Sequence, residues 1–200
     1  NNASLPISPF AFGLAWVALL PACQNPDDII HAARFGDLEK LIDCIESGVP
    51  VDHADPAGET PLFHVIGAGS EEAFRLLLEN DANTRLRDNL GNTTLHKAVT
   101  FGRREFAFEL IERGLDINAT NKVGATALHY AVRSGSLGMV DFLVGKGAEV
   151  EVQDADGNSP AEVAQAMSEQ EGISGPMGRP ILKKQINGII SALTKPTTDK

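Results

Sequence analysis

The 200-residue sequence contains little cysteine and fewer cations than anions. Its two cysteines cannot build the disulfide framework that holds together a small secreted domain lacking a large core. It has 17 Lys+Arg against 27 Asp+Glu, and the net charge of −10 argues against a broad phosphate-binding surface. We therefore expect no nucleic-acid partner. With 42% hydrophobic residues, the chain is nevertheless apolar enough to fold around a core.

Charge is missing altogether from the first 26 residues. Within them, the apolar run 10–20 is too short to span a bilayer, which takes roughly 20 residues, but it suits the core of a secretory signal. The following Leu20-Pro21-Ala22-Cys23 resembles the lipobox of bacterial lipoproteins, although proline is uncommon at its position. The resemblance implies cleavage after Ala22 and lipidation of Cys23. A variant of this interpretation is cleavage nearby by an ordinary signal peptidase.

A second interpretation of this segment is an N-terminal helix that covers one end of the folded domain of a cytoplasmic protein. Under the lipoprotein interpretation, a lipid on Cys23 also explains why it needs no disulfide partner. The other cysteine, Cys44, falls in an apolar helical pattern and is expected to be a small buried hydrophobe.

The rest of the sequence repeats with a period of 33 residues. One glycine series is Gly58, Gly91, Gly124 and Gly157. Two residues after each glycine come Thr60, Thr93, Thr126 and Ser159. Another glycine series runs through Gly36, Gly69, Gly102 and Gly135 in the same register. A hydroxyl followed by a short apolar run and a glycine predicts a capped helix that ends in a left-handed residue.

These units resemble ankyrin repeats. GETPLF (58–63), GNTTLH (91–96) and GATALH (124–129) are similar to the family's G-x-T-P-L-H signature. The resemblance implies an all-α fold, an ankyrin-repeat solenoid of about five helix-turn-helix repeats with short hairpin loops and a C-terminal capping helix. The expected repeats are 27–54, 55–87, 88–120, 121–153 and 154–194.

The predicted layout is a leader at 1–22, the repeat domain at 23–194 and a flexible tail at 195–200. The first repeat lacks the Thr-Pro-Leu-His start and is expected to cap the N-terminal end of the stack. Segment 171–179 is rich in glycine and proline, and the capping helix is predicted to begin at Pro180. At 81, aspartate replaces a glycine that would end a helix, so some backbone strain is expected there.

Catalytic and metal-binding motifs are absent from the sequence. None of the five histidines forms a His-x-x-x-His or His-Glu-x-x-His pair, and Gly-x-Ser-x-Gly does not occur. The ankyrin resemblance implies that His96 and His129 tie neighbouring repeats together. We therefore expect no enzyme, no cofactor and no metal. A hydrolase or metal enzyme built from His64, His96 and His129 remains the disfavoured alternative.

The same resemblance implies that hairpin tips and first helices form a concave face that binds another protein. Leu90, Phe101 and Val123 are apolar at positions where the fold itself requires nothing apolar. Together with Asn92, Lys122 and Arg133, they are the predicted partner-binding residues, although isolated surface hydrophobes are common in proteins. Tyr130 is expected to pack on its own helix rather than to contact a partner.

The function predicted from the sequence is therefore non-catalytic protein binding by a monomer. The first version is a bacterial ankyrin protein, located in the periplasm or anchored to the membrane as a lipoprotein, that binds and inhibits an unidentified partner protein. The alternative is a cytoplasmic scaffold or regulator whose residues 1–22 remain attached.

Overall fold

In the computed structural model, the described residues are 23, 25–170, 172–175, 178 and 180–194. They form five successive pairs of α-helices. The first helices of the pairs are α1 (Asp27–Phe35), α3 (Pro61–Ala68), α5 (Thr94–Thr100), α7 (Ala127–Arg133) and α9 (Pro160–Glu169). The second helices are α2 (Leu38–Glu46), α4 (Glu71–Glu79), α6 (Arg104–Glu112), α8 (Leu137–Gly145) and α10 (Lys183–Leu193).

The first helices begin and end where the sequence predicts. Thr93, Thr126 and Ser159 lie in extended backbone directly before α5, α7 and α9, and each takes part in a capping box with the third helical residue. Proline occupies the first position of α3 and α9, where its missing N–H leaves no helical bond unmade. Gly69 follows α3 with a φ of 81°, the left-handed conformation that only glycine adopts without strain.

The first helices pack directly on one another, α1 on α3, α3 on α5, α5 on α7 and α7 on α9. Leu62, Leu95 and Leu128 occupy the same place in successive repeats and are almost completely buried. Ala98 and Ala131, also buried, let neighbouring helices approach closely. Between residues 25 and 170, no strand forms beyond the isolated Arg87–Thr93 bridge. The predicted all-α repeat solenoid is confirmed.

The second helices contribute the outer half of the core. Ala73, Phe74 and Leu77 of α4 are buried, as are their counterparts in α6 and α8. Asp81 follows α4 with a φ of 59° and is the non-glycine residue with positive φ among those described. The expected strain at position 81 is therefore present in the backbone.

The C-terminal helix begins later than predicted. Pro180 pairs with Ser174 in an isolated antiparallel bridge, and α10 begins at Lys183. The intervening Ile181 lies so close to Gly135 that a Cβ there would be 2.6 Å from the isoleucine side chain. Helix α10 then packs on α8 and α9, and it buries Ile186, Ile189 and Leu193 at the end of the stack.

The two cysteines correct the sequence interpretation. Cys23 and Cys44 form a disulfide, and the Cα atoms are 5.0 Å apart. Cys44 is fully buried, as predicted, but it is bonded rather than free. One sulfur cannot carry both a disulfide and a lipid, so the disulfide-bonded protein has no site for the lipid expected on Cys23. The resemblance to a lipobox places a lipid on Cys23, whereas the fold brings Cys23 next to Cys44 of the first repeat.

Two other predicted segments lie outside the described residues: the leader at 1–22 and the tail at 195–200. In the part of the chain that is described, every helix is too short or too polar to cross a bilayer.

Candidate protein-binding surface

Each hairpin tip is built around one acidic or amide side chain. In the third repeat, Asp88 Oδ1 accepts hydrogen bonds from the N–H groups of Leu90 (2.9 Å) and Asn92 (2.8 Å). Asp55, Asn121 and Asp154 hold the other tips in the same way. Such short-range bonds fix a tight turn before any partner is bound.

Backbone hydrogen bonds join neighbouring tips in register. The N–H of Asn89 donates to Ala57 O (2.8 Å), that of Lys122 to Leu90 O (3.0 Å), and that of Ala155 to Val123 O (2.9 Å). At Gly91, a Cβ would come within 3.0 Å of the Lys122 nitrogen, so this close approach requires glycine.

These bonds place Ala57, Leu90 and Val123 at equivalent positions on three successive tips; we call these residues the tip row. Leu90 is 66% exposed and Val123 is 54% exposed. A rigid backbone therefore presents two branched apolar side chains next to each other in solvent. This arrangement suits contact with an apolar patch on another protein.

His96 and His129 join repeats behind the tips, as predicted. Nδ1 of His96 accepts the Thr93 N–H (3.2 Å), so the proton lies on Nε2, which donates to Ala125 O in the next repeat (3.0 Å). His129 makes the same bonds to Thr126 (3.1 Å) and Asn158 O (3.1 Å). Burial lowers the pKa of both imidazoles and favours the neutral form that this pattern requires.

The second repeat departs from this pattern because Phe63 occupies the histidine position. Without an imidazole beside it, the buried Thr60 Oγ1 has no hydrogen-bond partner among the described residues. The carbonyl that a histidine at 63 would reach, Asn92 O, already accepts the Asp88 N–H (3.1 Å). The phenylalanine is completely buried, so apolar packing replaces the polar tie at this junction.

The histidine at the next position, His64, lies at the centre of a network of hydrogen bonds and ion pairs that sequence reasoning missed. Its Nε2 is 2.9 Å from Asp55 Oδ2, and its Nδ1 is 3.7 Å from Glu59 Oε2. Asp55 also pairs with Arg34 of the first repeat (3.5 Å), and Glu59 pairs with Lys97 of the third. These five residues link three repeats along the first helices.

Asp55, Glu59 and His64 place one ligand atom each within 4.8 Å of one another, which brings together a donor set that could hold a metal. A divalent ion would have to displace Arg34 and Lys97 from these carboxylates. Burial raises the pKa of Asp55, but bonds from the Glu59 and Ala57 N–H groups and His64 lower it overall. Burial lowers the pKa of His64 against the attraction of Asp55. These contacts of Asp55, Glu59 and His64 therefore stabilise the packing of the first three repeats.

The structure divides the six predicted binding residues into two groups. Leu90, Lys122 and Val123 are exposed on adjacent tips. Asn92 also lies in a tip, but its side chain bonds internally to Asp88 (2.9 Å) and Asn121 (2.9 Å). It is therefore held by the fold more than it is available to a partner.

Phe101 and Arg133 both lie at the C-terminal ends of their helices, α5 and α7, and these ends are about 10 Å away from the tips along the helix axis. Lys97 lies over the half-buried Phe101 ring, 5.3 Å from its centroid. Arg133 is exposed and pairs with Asp154 (3.0 Å). Between the two groups, Tyr130 is half-buried and donates its hydroxyl to Asn92 Oδ1 (3.1 Å). Lys97 is the residue of this face that sequence reasoning missed.

Comparison with known proteins agrees with this repeat architecture. Family profiles described as ankyrin repeats match residues 29–121 and residues 110–164. Two curated proteins of Arabidopsis thaliana are similar over short stretches. Acyl-CoA-binding domain-containing protein 1 is 43% identical over 56 residues, and acyl-CoA-binding domain-containing protein 2 is 40% identical over 57 residues.

Each of these alignments covers 28% of this chain but only 17% and 16%, respectively, of the plant proteins. The chain thus spans less than a fifth of the length of these relatives. The acyl-CoA binding in their names is a property of those proteins and is not assigned to this chain. Ankyrin repeats mediate binding to other proteins, and the family is typically non-catalytic. The matched residues 29–164, together with five stacked helix pairs, identify the chain as a member of the ankyrin repeat family.

Proposed function

We propose that this ankyrin protein uses the tip row and the adjoining first helices to bind one partner protein and block that partner's active or interacting surface. The observation that carries the proposal is the exposed Leu90–Val123 pair, joined by the bond between Lys122 N–H and Leu90 O. The turns that hold the pair are rigid before binding, so little conformational entropy is lost on association.

We also propose that the protein is bacterial and is exported to the periplasm. Disulfides persist in oxidising compartments and are rare in the cytoplasm, and Cys23 is bonded to Cys44. The short uncharged apolar run that precedes Cys23 is similar to the apolar core of a secretory signal and supports the same location. In this version a signal peptidase removes the leader upstream of Cys23 or directly before it, and the thiol remains free to pair.

Binding by the tip row is tested by changing Leu90 and Val123 to glutamate in the full chain. A partner is first isolated with the wild-type protein from a periplasmic extract, and its affinity is then measured for each variant. We expect at least a tenfold loss for Leu90→Glu with Val123→Glu, because central apolar anchors dominate interfaces. A partner enzyme should also keep its activity when it is mixed with the variant.

Leu182 provides the matched control, since it is a 64% exposed leucine beside the C-terminal helix. Leu182→Glu adds the same kind of charge outside the tip row and should leave the affinity unchanged. Equal affinities for the tip variant and the wild type would refute the proposed surface.

A further inference from the structure

A groove on the second helices lies outside the surface described so far. It runs between α4 and α6 and has a volume of about 300 Å³. Its floor contains the stacked rings of Phe74 and Phe106, whose centroids are 4.4 Å apart, and its side contains the half-buried Leu78. A cleft of this size holds one or two side chains of a bound segment.

Carboxylates dominate the rim of the α4–α6 groove. The charged residues that line it are Glu71, Arg75, Glu79, Glu105, Glu109 and Arg113. Arg75 pairs with Glu71 (3.4 Å) and Arg113 with Glu109 (2.8 Å), so each cation is held on its own side of the groove. Within the described part of the chain, Glu79 and Glu105 take part in no ion pair. The groove therefore combines an apolar floor with excess negative charge.

The next groove along the stack shows how this chain fills such a space. Between α6 and α8, Arg104 lies over the Phe142 ring (5.0 Å), and Lys146 lies over the Phe108 ring (4.4 Å). Lys146 also reaches across to Glu112, at 2.7 Å. Cations of the protein itself thus cover the aromatic rings and neutralise an acid.

The 33-residue period shows why the α4–α6 groove is not filled in this way. The positions of Arg104 and Phe142 correspond to Glu71 and Glu109, which are both acidic. The positions of Phe108 and Lys146 correspond to Arg75 and Arg113, which are both basic. The like charges in these two pairs do not bridge the groove. The counterpart of the Glu112–Lys146 pair is Glu79 and Arg113, and there Arg113 binds Glu109 on its own helix instead.

We propose that the α4–α6 groove binds a basic segment of a partner protein. An arginine or lysine side chain of that segment enters the groove, its aliphatic stem lies along Phe74, Phe106 and Leu78, and its charged head meets Glu79 and Glu105. Arginine and lysine bury their stems on apolar surface while their heads remain available to carboxylates. The bound cation takes the place that Arg104 and Lys146 occupy in the neighbouring groove. The proposal does not depend on the tip row.

The test uses the full chain and a fluorescein-labelled helical peptide with leucine and arginine on one face. A second peptide, with glutamate in place of arginine, is the chemical control. Fluorescence anisotropy gives the affinity for each protein variant. We expect the arginine peptide to bind and the glutamate peptide not to bind, whereas equal binding of the two would overturn the proposal.

Charge-matched variants separate the groove from the general acidity of the protein. Glu79→Gln with Glu105→Gln should weaken the arginine peptide about fivefold to tenfold, because it removes two partly exposed charge pairs. Glu72→Gln with Asp141→Asn removes two exposed carboxylates outside the groove and should have a much smaller effect. Equal losses for the two double variants would show general electrostatic attraction and would also overturn the proposal.

A transplant of the neighbouring pattern provides an independent test. Glu71→Arg with Glu109→Phe reproduces the Arg104–Phe142 pair in the α4–α6 groove. The new arginine should cover the floor, so that the peptide no longer binds while far-UV circular dichroism remains that of the wild type. Unchanged peptide affinity in this folded variant would place the binding site elsewhere on the protein.

Discussion

His96 is the residue at which the stacking of repeats can be measured most directly. Its side chain is 1% exposed and bonds both to its own repeat, at Thr93, and to the next repeat, at Ala125 O. His96→Ala removes both bonds together with the imidazole ring. The Ala125 carbonyl keeps the bond from the Asn121 N–H (3.0 Å), so it is not left without a partner.

The expected loss is about 3 kcal/mol in the free energy of unfolding. An unpaired Thr93 N–H costs about 1–3 kcal/mol, and the lost bond to Ala125 O costs about 1 kcal/mol. The ring also packs edge-on against Tyr130, with centroids 5.4 Å apart, and this contact adds about 1 kcal/mol or less. These contributions overlap, because relaxation of the site recovers part of each.

Urea unfolding followed by far-UV circular dichroism measures this loss. His31→Ala is the control, because His31 is exposed and its described contact is with the Phe35 ring of its own helix. Its substitution should change the free energy by about 0.5 kcal/mol or less. A His96→Ala loss no greater than that of His31→Ala would refute the assignment of His96 as a tie between repeats.

Three further predictions concern other parts of the stack. Cys44→Ser should lower the free energy of unfolding by about 3 kcal/mol, because the disulfide closes a loop of about 20 residues. Mass spectrometry of the wild-type protein should show the disulfide and no lipid on Cys23. As the pH falls below about 6.5, the histidines of the unfolded chain take up protons before the buried His96 and His129 of the folded protein do. The urea concentration at the midpoint of unfolding should therefore fall with pH, and a midpoint that does not change with pH would contradict the lowered pKa values. Asp81→Gly should stabilise the protein by up to about 1 kcal/mol in the same assay, since it relieves a φ of 59°; a destabilised variant would show that no strain is stored there.

The repeat architecture was predictable because the period fixes both local structure and packing. Thr93 and Thr126 cap helices at the expected positions, and His96 and His129 bond to the next repeat. Residues that recur every 33 positions have the same surroundings, so a prediction made for one repeat applies to the others.

Features that break the period were not predictable in this way. The Cys23–Cys44 bond joins a residue before the first repeat to one inside it, and no counterpart exists in other repeats. The start of α10 depends on the pairing of Pro180 with Ser174, within an insertion that has no equivalent. His64 gave a signal, because it stands one place after the histidine position, but the network around it draws its residues from three repeats.

The α4–α6 groove was hidden for a different reason. The period does place Glu71 across from Glu109 and Arg75 across from Arg113, but which glutamate each arginine binds depends on side-chain geometry. Sequence reasoning likewise grouped Phe101 with Leu90, although the length of α5 separates them. Spacing along the chain predicts which face a residue occupies better than it predicts how close two residues on that face lie.

Site-specific photo-crosslinking tests the central claim, binding of a partner protein by the tip row, most directly. A benzophenone amino acid replaces Val123 in one protein and Leu182 in another, and cells that produce each protein are irradiated. We predict that the Val123 probe crosslinks to a single partner protein and that the Leu182 probe does not. Co-purification of that partner without any crosslink from Val123, or a crosslink from Leu182 alone, would contradict the account.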